Sequence, residues 1–331
     1  MTASPPSGRE RHGGLVLLMA VAFAIGILAL VAGLLVAVST RLDTGDRVPA
    51  TLASVGTWAW VPLLVAALLL PLAAGLAWGR ARPLLGVLTA VAVVGLVVQV
   101  VWLAPRFTPD EVGGSGPTVL TANLKYGAGD AGTVVRLVRE RQVDLVALEE
   151  VTPASLARLR AAGLERLLPH AAGRPSEDAD GTMVFSRYAL TGATAVPVSL
   201  GGVSVSVAAP EPFRFLAVHV SDPLFHPGPW YADLGLLQRT VRASTGPVVV
   251  AGDFNTTLDH APLRRVLERT GLRDGAEQAG SGLRPTWPSD RLVPILTIDH
   301  VLTGRGVAVA GTDRVRVPGS DHFGLLARLA A

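Results

Sequence analysis

The chain of 331 residues has no cysteine, which excludes both disulfide staples and thiolate metal sites. It has one lysine, Lys125, and otherwise draws its positive charge from arginine. Aromatic residues are 5% and charged residues 17%, yet half of all residues are hydrophobic and the mean hydropathy is +0.44. That is too apolar for an ordinary soluble protein, and the excess lies before residue 105. A strong charge of one sign is also missing. Residues 117–331 hold 22 Lys+Arg against 21 Asp+Glu, so the pI near 9.9 does not mark a broad basic face for nucleic acid.

Three uncharged apolar runs, about 15–38, 55–78 and 84–103, are each long enough to cross a bilayer as a helix. Pro62 and Pro71 lie in the second, where membrane helices tolerate proline. Trp58, Trp60, Trp78 and Trp102 sit near the run ends, as an interfacial belt requires. The first run is too long for a signal peptide, and no small-residue cleavage site clearly follows it before Arg41. Arg9 and Arg11 precede the first run, and Arg80 and Arg82 join the second to the third. The excess of inside arginine places the N-terminus in the cytoplasm, and three crossings then put the remainder outside. The expectation is a multi-pass plasma-membrane protein with a membrane segment at 1–104, a Pro/Gly/Ser-rich linker at 105–117 and an extracytoplasmic domain at 118–331. A cytoplasmic domain is the alternative.

Within 118–331, short β-branched runs at 118–124, 144–151, 181–187, 195–200, 203–208, 213–220, 248–253, 295–302, 307–315 and 325–329 predict strands. Apolar residues at helical spacing predict helices over 133–142, 153–162, 230–241 and 260–270. Strands alternate with helices early and outnumber them later, which predicts a layered α/β sandwich.

Polar residues recur where these apolar strands stop: Asn123, Glu150, His219, Asp253 with Asn255, Asp299, and Asp321 with His322. Each carries a desolvation cost in an otherwise apolar segment, so one such residue is unremarkable and six such places together are not. Carboxylates suit a hard cation, a histidine steered by a carboxylate suits proton transfer, and amide and imidazole donors suit the charge that builds on a phosphate. His12, His170, His226 and His260 lack a partner motif and read as surface or capping residues. His300 faces away from Asp299 in an extended chain and reads as structural.

The ordered segments, the Asn123 strand, LEEV at 148–151, AVHV at 217–220, GDFN at 252–255, IDHVL at 298–302 and SDH at 320–322, resemble the motifs of the endonuclease/exonuclease/phosphatase superfamily. That resemblance implies a deoxyribonuclease I-like two-sheet α/β sandwich following the three-span membrane segment. It implies a phosphodiester hydrolase of nuclease type that attacks with a metal-activated water. Mg²⁺, or Mn²⁺ in its place, would be bound by Glu150, with Asn123 beside it and Asp321 in or near the metal shell. Asp253 would activate water or assist the leaving group, and Asn255 and His219 would hold the phosphate. Asp299 would orient His322, with the division of base and acid between Asp253 and His322 left open. The substrate would be a nucleic acid or, alternatively, a phospholipid or small phosphoester, and the lipid bilayer a further partner. A non-catalytic binding module with the same fold is the rival from another class. Glu149 stands where the family often has Gln, and either adds charge near the site or faces solvent.

Overall fold

The computed structural model describes residues 8–76, 79 and 81–330. Trp78 and Arg80 lie outside the described residues, as do the side chains of Arg9, Arg11 and His12. The chain divides into two compact units, Met1–Thr40 with Val55–Ala104 and Arg41–Ser54 with Pro105–Ala331.

In chain order the first helices are α1 (Gly8–Ser39), α2 (Arg47–Ser54), α3 (Trp60–Leu76) and α4 (Ala81–Leu103). The stretches Val16–Ser39, Gly56–Gly75 and Ala81–Phe107 are long and apolar enough to cross a membrane. In this first unit Leu30, Leu63, Leu70, Leu85 and Ala92 are buried against one another, whereas Leu17, Leu28, Val94 and Val101 are exposed. Gly33 permits the close approach of α1 and α3, since a Cβ there would stand 2.8 Å from the Leu63 side chain.

The second unit is a four-layer sandwich. Its strands are β1 (Thr118–Asn123), β2 (Leu145–Glu149), β3 (His170–Arg174), β4 (Thr182–Ser186), β5 (Leu190–Ala195), β6 (Gly202–Val207), β7 (Phe213–His219), β8 (Val248–Asp253), β9 (Arg273–Asp274), β10 (Asp299–Gly304), β11 (Ala308–Arg316) and β12 (Phe323–Ala330). They form two six-stranded sheets, β11-β12-β1-β2-β4-β3 and β5-β6-β7-β8-β10-β9. Each sheet has one parallel pair, β1 with β2 and β7 with β8, and all other neighbours are antiparallel. Its remaining helices are α5 (Ala131–Glu140), α6 (Pro153–Ala162), α7 (Leu164–Leu167), α8 (Pro227–Ala243), α9 (Ala261–Thr270) and α10 (Gly275–Gln278).

Alternation along the strands builds three cores. Val119, Ala147, Val205, Phe215, Val249 and Leu325 meet between the sheets. Leu120, Val146 and Leu148 face α5 and α6, and Leu216, Val250 and Leu302 face α8 and α9. Burying each such side chain contributes about 1.5–3 kcal/mol. Both parallel pairs therefore run through dry surroundings and release their C-terminal ends at one edge.

Two segments outside the expected sandwich are fastened to this unit. Ala50 of α2 enters the core beside Trp230 and Leu234, and the buried His260 lies 3.0 Å from the Ala50 carbonyl oxygen through its Nε2. Asp43 pairs with Arg265. Along 105–117, Arg106 pairs with the buried Asp259 at 2.8 Å and Asp110 with Arg273 at 2.7 Å. The Leu329 N–H then donates to the Pro117 carbonyl at 3.0 Å. Two strand expectations shift. The edge strand spans Leu190–Ala195, and 196–201 is loop; β10 starts at Asp299, with Leu296 making only a bridge to Trp287.

Candidate active site

The site grows from the ends of the parallel pairs. Asn123 closes β1, His219 closes β7 and Asp253 closes β8. His219, Asp253 and Asp299 are register partners across three adjacent strands, so one backbone ladder lines up three titratable groups. Gly252 makes room for this, because its φ is +147° and a Cβ would lie 1.9 Å from the Val218 carbonyl oxygen. Immediately after β2 the backbone of Glu150 turns left-handed at φ +55°, and after β8 that of Asn255 does so at φ +47°. Such conformations are sparse for L side chains and concentrate at functional sites.

The side chains form one connected network. Asn123 Nδ2 donates to Glu150 Oε1 at 2.9 Å and to Asp253 Oδ2 at 3.1 Å. Asp253 Oδ1 accepts the Asn255 N–H at 2.8 Å, and Asn255 Nδ2 donates to the Val220 carbonyl at 2.9 Å. His219 Nδ1 lies 3.1 Å from the Ala179 carbonyl, which can only accept, so that nitrogen carries a proton and Nε2 is left 3.5 Å from Asp253. His322 Nδ1 lies 3.1 Å from Asp299 Oδ2, and its Nε2 stands 3.7 Å from Asp253 Oδ2. Asp321 is connected differently: it meets Lys125 Nζ at 3.4 Å, and the Lys125 N–H donates to Asn123 Oδ1.

Burial sets the electrostatics. Asp253 is 1% exposed, and loss of water raises its pKa; His322 pulls it down, Asp299 raises it further and His219 lowers it. Burial also opposes the imidazolium of His322, but Asp299 and Asp253 outweigh it and push the pKa up to about 10. Glu149 does not face solvent. It is fully buried beneath the site with Thr121 Oγ1 3.1 Å from its carboxylate. Burial first, then Asp299 and Asp253, raise its pKa well above the usual carboxylate range.

Ligand atoms of Asp253, Asp299 and His322 lie within 4.8 Å of one another, a group able to hold a metal ion. Glu150 joins them through Asn123 and contributes further oxygen donors. Crowded, partly desolvated carboxylates with hard oxygen atoms are the surroundings a divalent cation relieves. The carboxylate oxygens of Glu150, Asp253 and Asp299 therefore fit such an ion, while a protonated His322 offers it no lone pair.

Three further groups support these residues. Ser320 Oγ donates to the Asn123 carbonyl at 2.7 Å and accepts the His322 N–H, tying the last turn to β1. Thr286 Oγ1 accepts the N–H groups of Ile298 and Asp299. The Ala179 carbonyl, on the loop before β4, fixes the His219 ring. Ser320 opens the SDH segment, whereas a backbone carbonyl leaves no trace in one sequence.

The model of the Endonuclease/Exonuclease/phosphatase family matches residues 120–322. The chain belongs to this family. Its second unit has the deoxyribonuclease I-like sandwich, as solved structures of similar fold show. D. rerio TDP2 complexed with single-strand DNA product aligns with a TM-score of 0.57 at 15% identity, covering 66% of this chain and 100% of that one. An endonuclease/exonuclease/phosphatase from Beutenbergia cavernae aligns at 0.52 and 22% identity, over 65% of this chain and 72% of that one. Truncated Caenorhabditis elegans TDP2 aligns at 0.52 and 17% identity, over 65% and 98%. No curated protein matches the chain. As a member of this family of phosphate-ester hydrolases, it carries its polar network at the edge where both parallel pairs end.

Proposed function

We propose that the chain is a membrane-anchored, divalent-metal-dependent phosphodiesterase of nuclease type. The observation that carries this is the buried Asp253–His322–Asp299 cluster, joined through Asn123 to Glu150. A bound Mg²⁺ or Mn²⁺ would supply Lewis-acid stabilisation of the phosphoryl oxygens and an acidified water. Glu150 would hold it, with Asn123 alongside and Asp321 at the rim. Asp253, its pKa raised by burial, takes the proton of the attacking water. Asn255 donates to an oxygen of the scissile phosphate, as does His219 when Nε2 also carries a proton, and Asn255 fixes Asp253 through its own N–H. His322, kept protonated by Asp299, donates to the phosphate or the leaving oxygen.

The anchoring rests on the three apolar helices. The chain leaves the second unit at Ser54 and re-enters it at Pro105 after α3 and α4. Two crossings return it to the same side of a bilayer. With the N-terminus inside, as the arginines indicate, that side is extracytoplasmic. The single-strand DNA product held by D. rerio TDP2 supports a nucleic-acid substrate here. The near-neutral charge of residues 117–331 and the adjacent bilayer support a phospholipid diester as the second reading. A salt titration separates the two, because polynucleotide affinity falls steeply with salt.

The full-length chain in detergent should hydrolyse a phosphodiester with Mg²⁺ and stop when EDTA is added. Glu150→Ala and Asp253→Ala should each lose several orders of magnitude in kcat/KM. Wild-type rates in either variant would refute the assignment.

A further inference from the structure

The turn that follows β1 sets two side chains at the lip of the site. Lys125, Tyr126 and Gly127 all take left-handed backbone conformations, at φ +48°, +49° and +71°. Two consecutive non-glycine residues in that region are rare, and hydrogen bonds from the site itself hold them there. The Lys125 N–H donates to Asn123 Oδ1 at 2.8 Å, and the Tyr126 N–H donates to Glu150 Oε2 at 2.7 Å. Ala128 N–H closes the turn on the Lys125 carbonyl at 2.9 Å. Tyr126 is 63% exposed, and its own amide is bonded to the carboxylate that would hold the metal. Lys125, its neighbour, reaches across to Asp321 at 3.4 Å and Asp290 at 3.6 Å.

We infer that Tyr126 is a stacking platform for the base next to the scissile phosphate, which makes the substrate a single-stranded polynucleotide. This deepens the phosphodiesterase reading and rests on it. Stacking on an aromatic ring tolerates any base and needs no net charge. It therefore suits a unit whose charges nearly balance and which cannot rely on many phosphate contacts. A paired base is already stacked within its duplex, so a ring at the lip serves an unpaired one. A quaternary-ammonium headgroup would also meet an aromatic face, and the choline substrate in the test below separates the two.

The test compares a short single-stranded oligodeoxynucleotide with glycerophosphocholine as substrates of the full-length chain in detergent with Mg²⁺. Tyr126→Asn removes the ring while keeping a residue type that accepts left-handed backbone, and Tyr126→Phe keeps the ring without the hydroxyl. Tyr126→Asn should raise the oligonucleotide KM about tenfold with little change in kcat, lowering the ratio of the two substrates' kcat/KM by about the same factor. Tyr126→Phe should hold that ratio at the wild-type value. An unchanged KM in Tyr126→Asn, an equal loss on both substrates, or a ring-dependent preference for glycerophosphocholine would overturn the inference. If the wild-type chain hydrolyses neither substrate, the phosphodiesterase reading fails. Oligonucleotide anisotropy then tests the platform directly, and equal Kd values for wild type and Tyr126→Asn would refute it.

Discussion

Strand β10 carries two histidine–carboxylate pairs on opposite faces, and only one of them belongs to the site. Asp299 holds His322 at 3.1 Å on the cleft side, while its neighbour His300 meets Asp274 at 2.7 Å on the other. Both pairs are buried, and in both the acid raises the histidine pKa against the opposing effect of burial. The difference lies at the second nitrogen. His300 Nε2 is bonded to the Thr256 carbonyl at 2.8 Å, and the ring stands edge-on to Phe254. His322 Nε2 faces Asp253 at 3.7 Å, beyond a hydrogen bond. A pair whose far nitrogen is bound to backbone braces the turn behind Asp253 and Asn255. A pair whose far nitrogen is held short of a bond can reach for a reacting atom.

The largest effect should come from the cleft pair. His322→Ala should lower kcat per folded molecule by about 10²–10⁴-fold, the usual range for a proton-transfer group. His300→Ala should leave kcat per folded molecule nearly intact, and both variants should lose stability. Removing one partner of a buried ion pair costs about 3–5 kcal/mol of stability, to be read from denaturant midpoints. Equal kcat losses in the two variants would erase the distinction between them.

A third histidine gives an intermediate effect. Burial holds the pKa of His260 down at about 4 from 6.5, outweighing its hydrogen bonds to Thr257 and Ala50. Between pH 6.5 and 4 the unfolded chain binds a proton that the folded chain excludes, so stability is lost as the pH falls through that window. The loss is about 3 kcal/mol at most. Denaturant midpoints measured from pH 7 to pH 4 should drop in wild type and drop less in His260→Gln. The smallest effect should be that of Glu149→Gln. Burial favours the neutral form of this carboxyl, whose shape the amide shares while keeping the contact with Thr121, so stability should change by less than about 1 kcal/mol near pH 7. A large loss would mean that Glu149 is ionised.

The polar edge was legible because its residues interrupt apolar strands, and the structure joins Asn123, Glu150, His219, Asp253, Asn255, Asp299 and His322 in one network. Asp321 is joined to it through Lys125, and its charge also acts on His322. What escaped sequence reading has physical causes. The edge strand Leu190–Ala195 is largely exposed and shows no apolar alternation, whereas the adjacent Val196 and Val198 pack as loop residues and mimic a strand. Helix α2 has eight residues and buries two alanines, too weak a stripe to mark it as part of the folded unit. His260 stands at the N-cap position of α9 but is buried rather than surface-exposed, because α2 covers it. Glu149 continues the inter-sheet face of Leu145 and Ala147, so alternation indicates burial where its charge suggested solvent.

The most direct measurement is Mg²⁺-dependent hydrolysis of bis(p-nitrophenyl) phosphate by the purified full-length chain, wild type beside Asp253→Asn. That substitution keeps the volume of the side chain and removes its charge and basicity. The account expects metal-dependent turnover by the wild type and a loss of at least a hundredfold in the variant at unchanged Tm. Turnover that survives the substitution, or a correctly folded wild type that hydrolyses no phosphodiester with any divalent ion, would contradict it and leave a binding module with this fold.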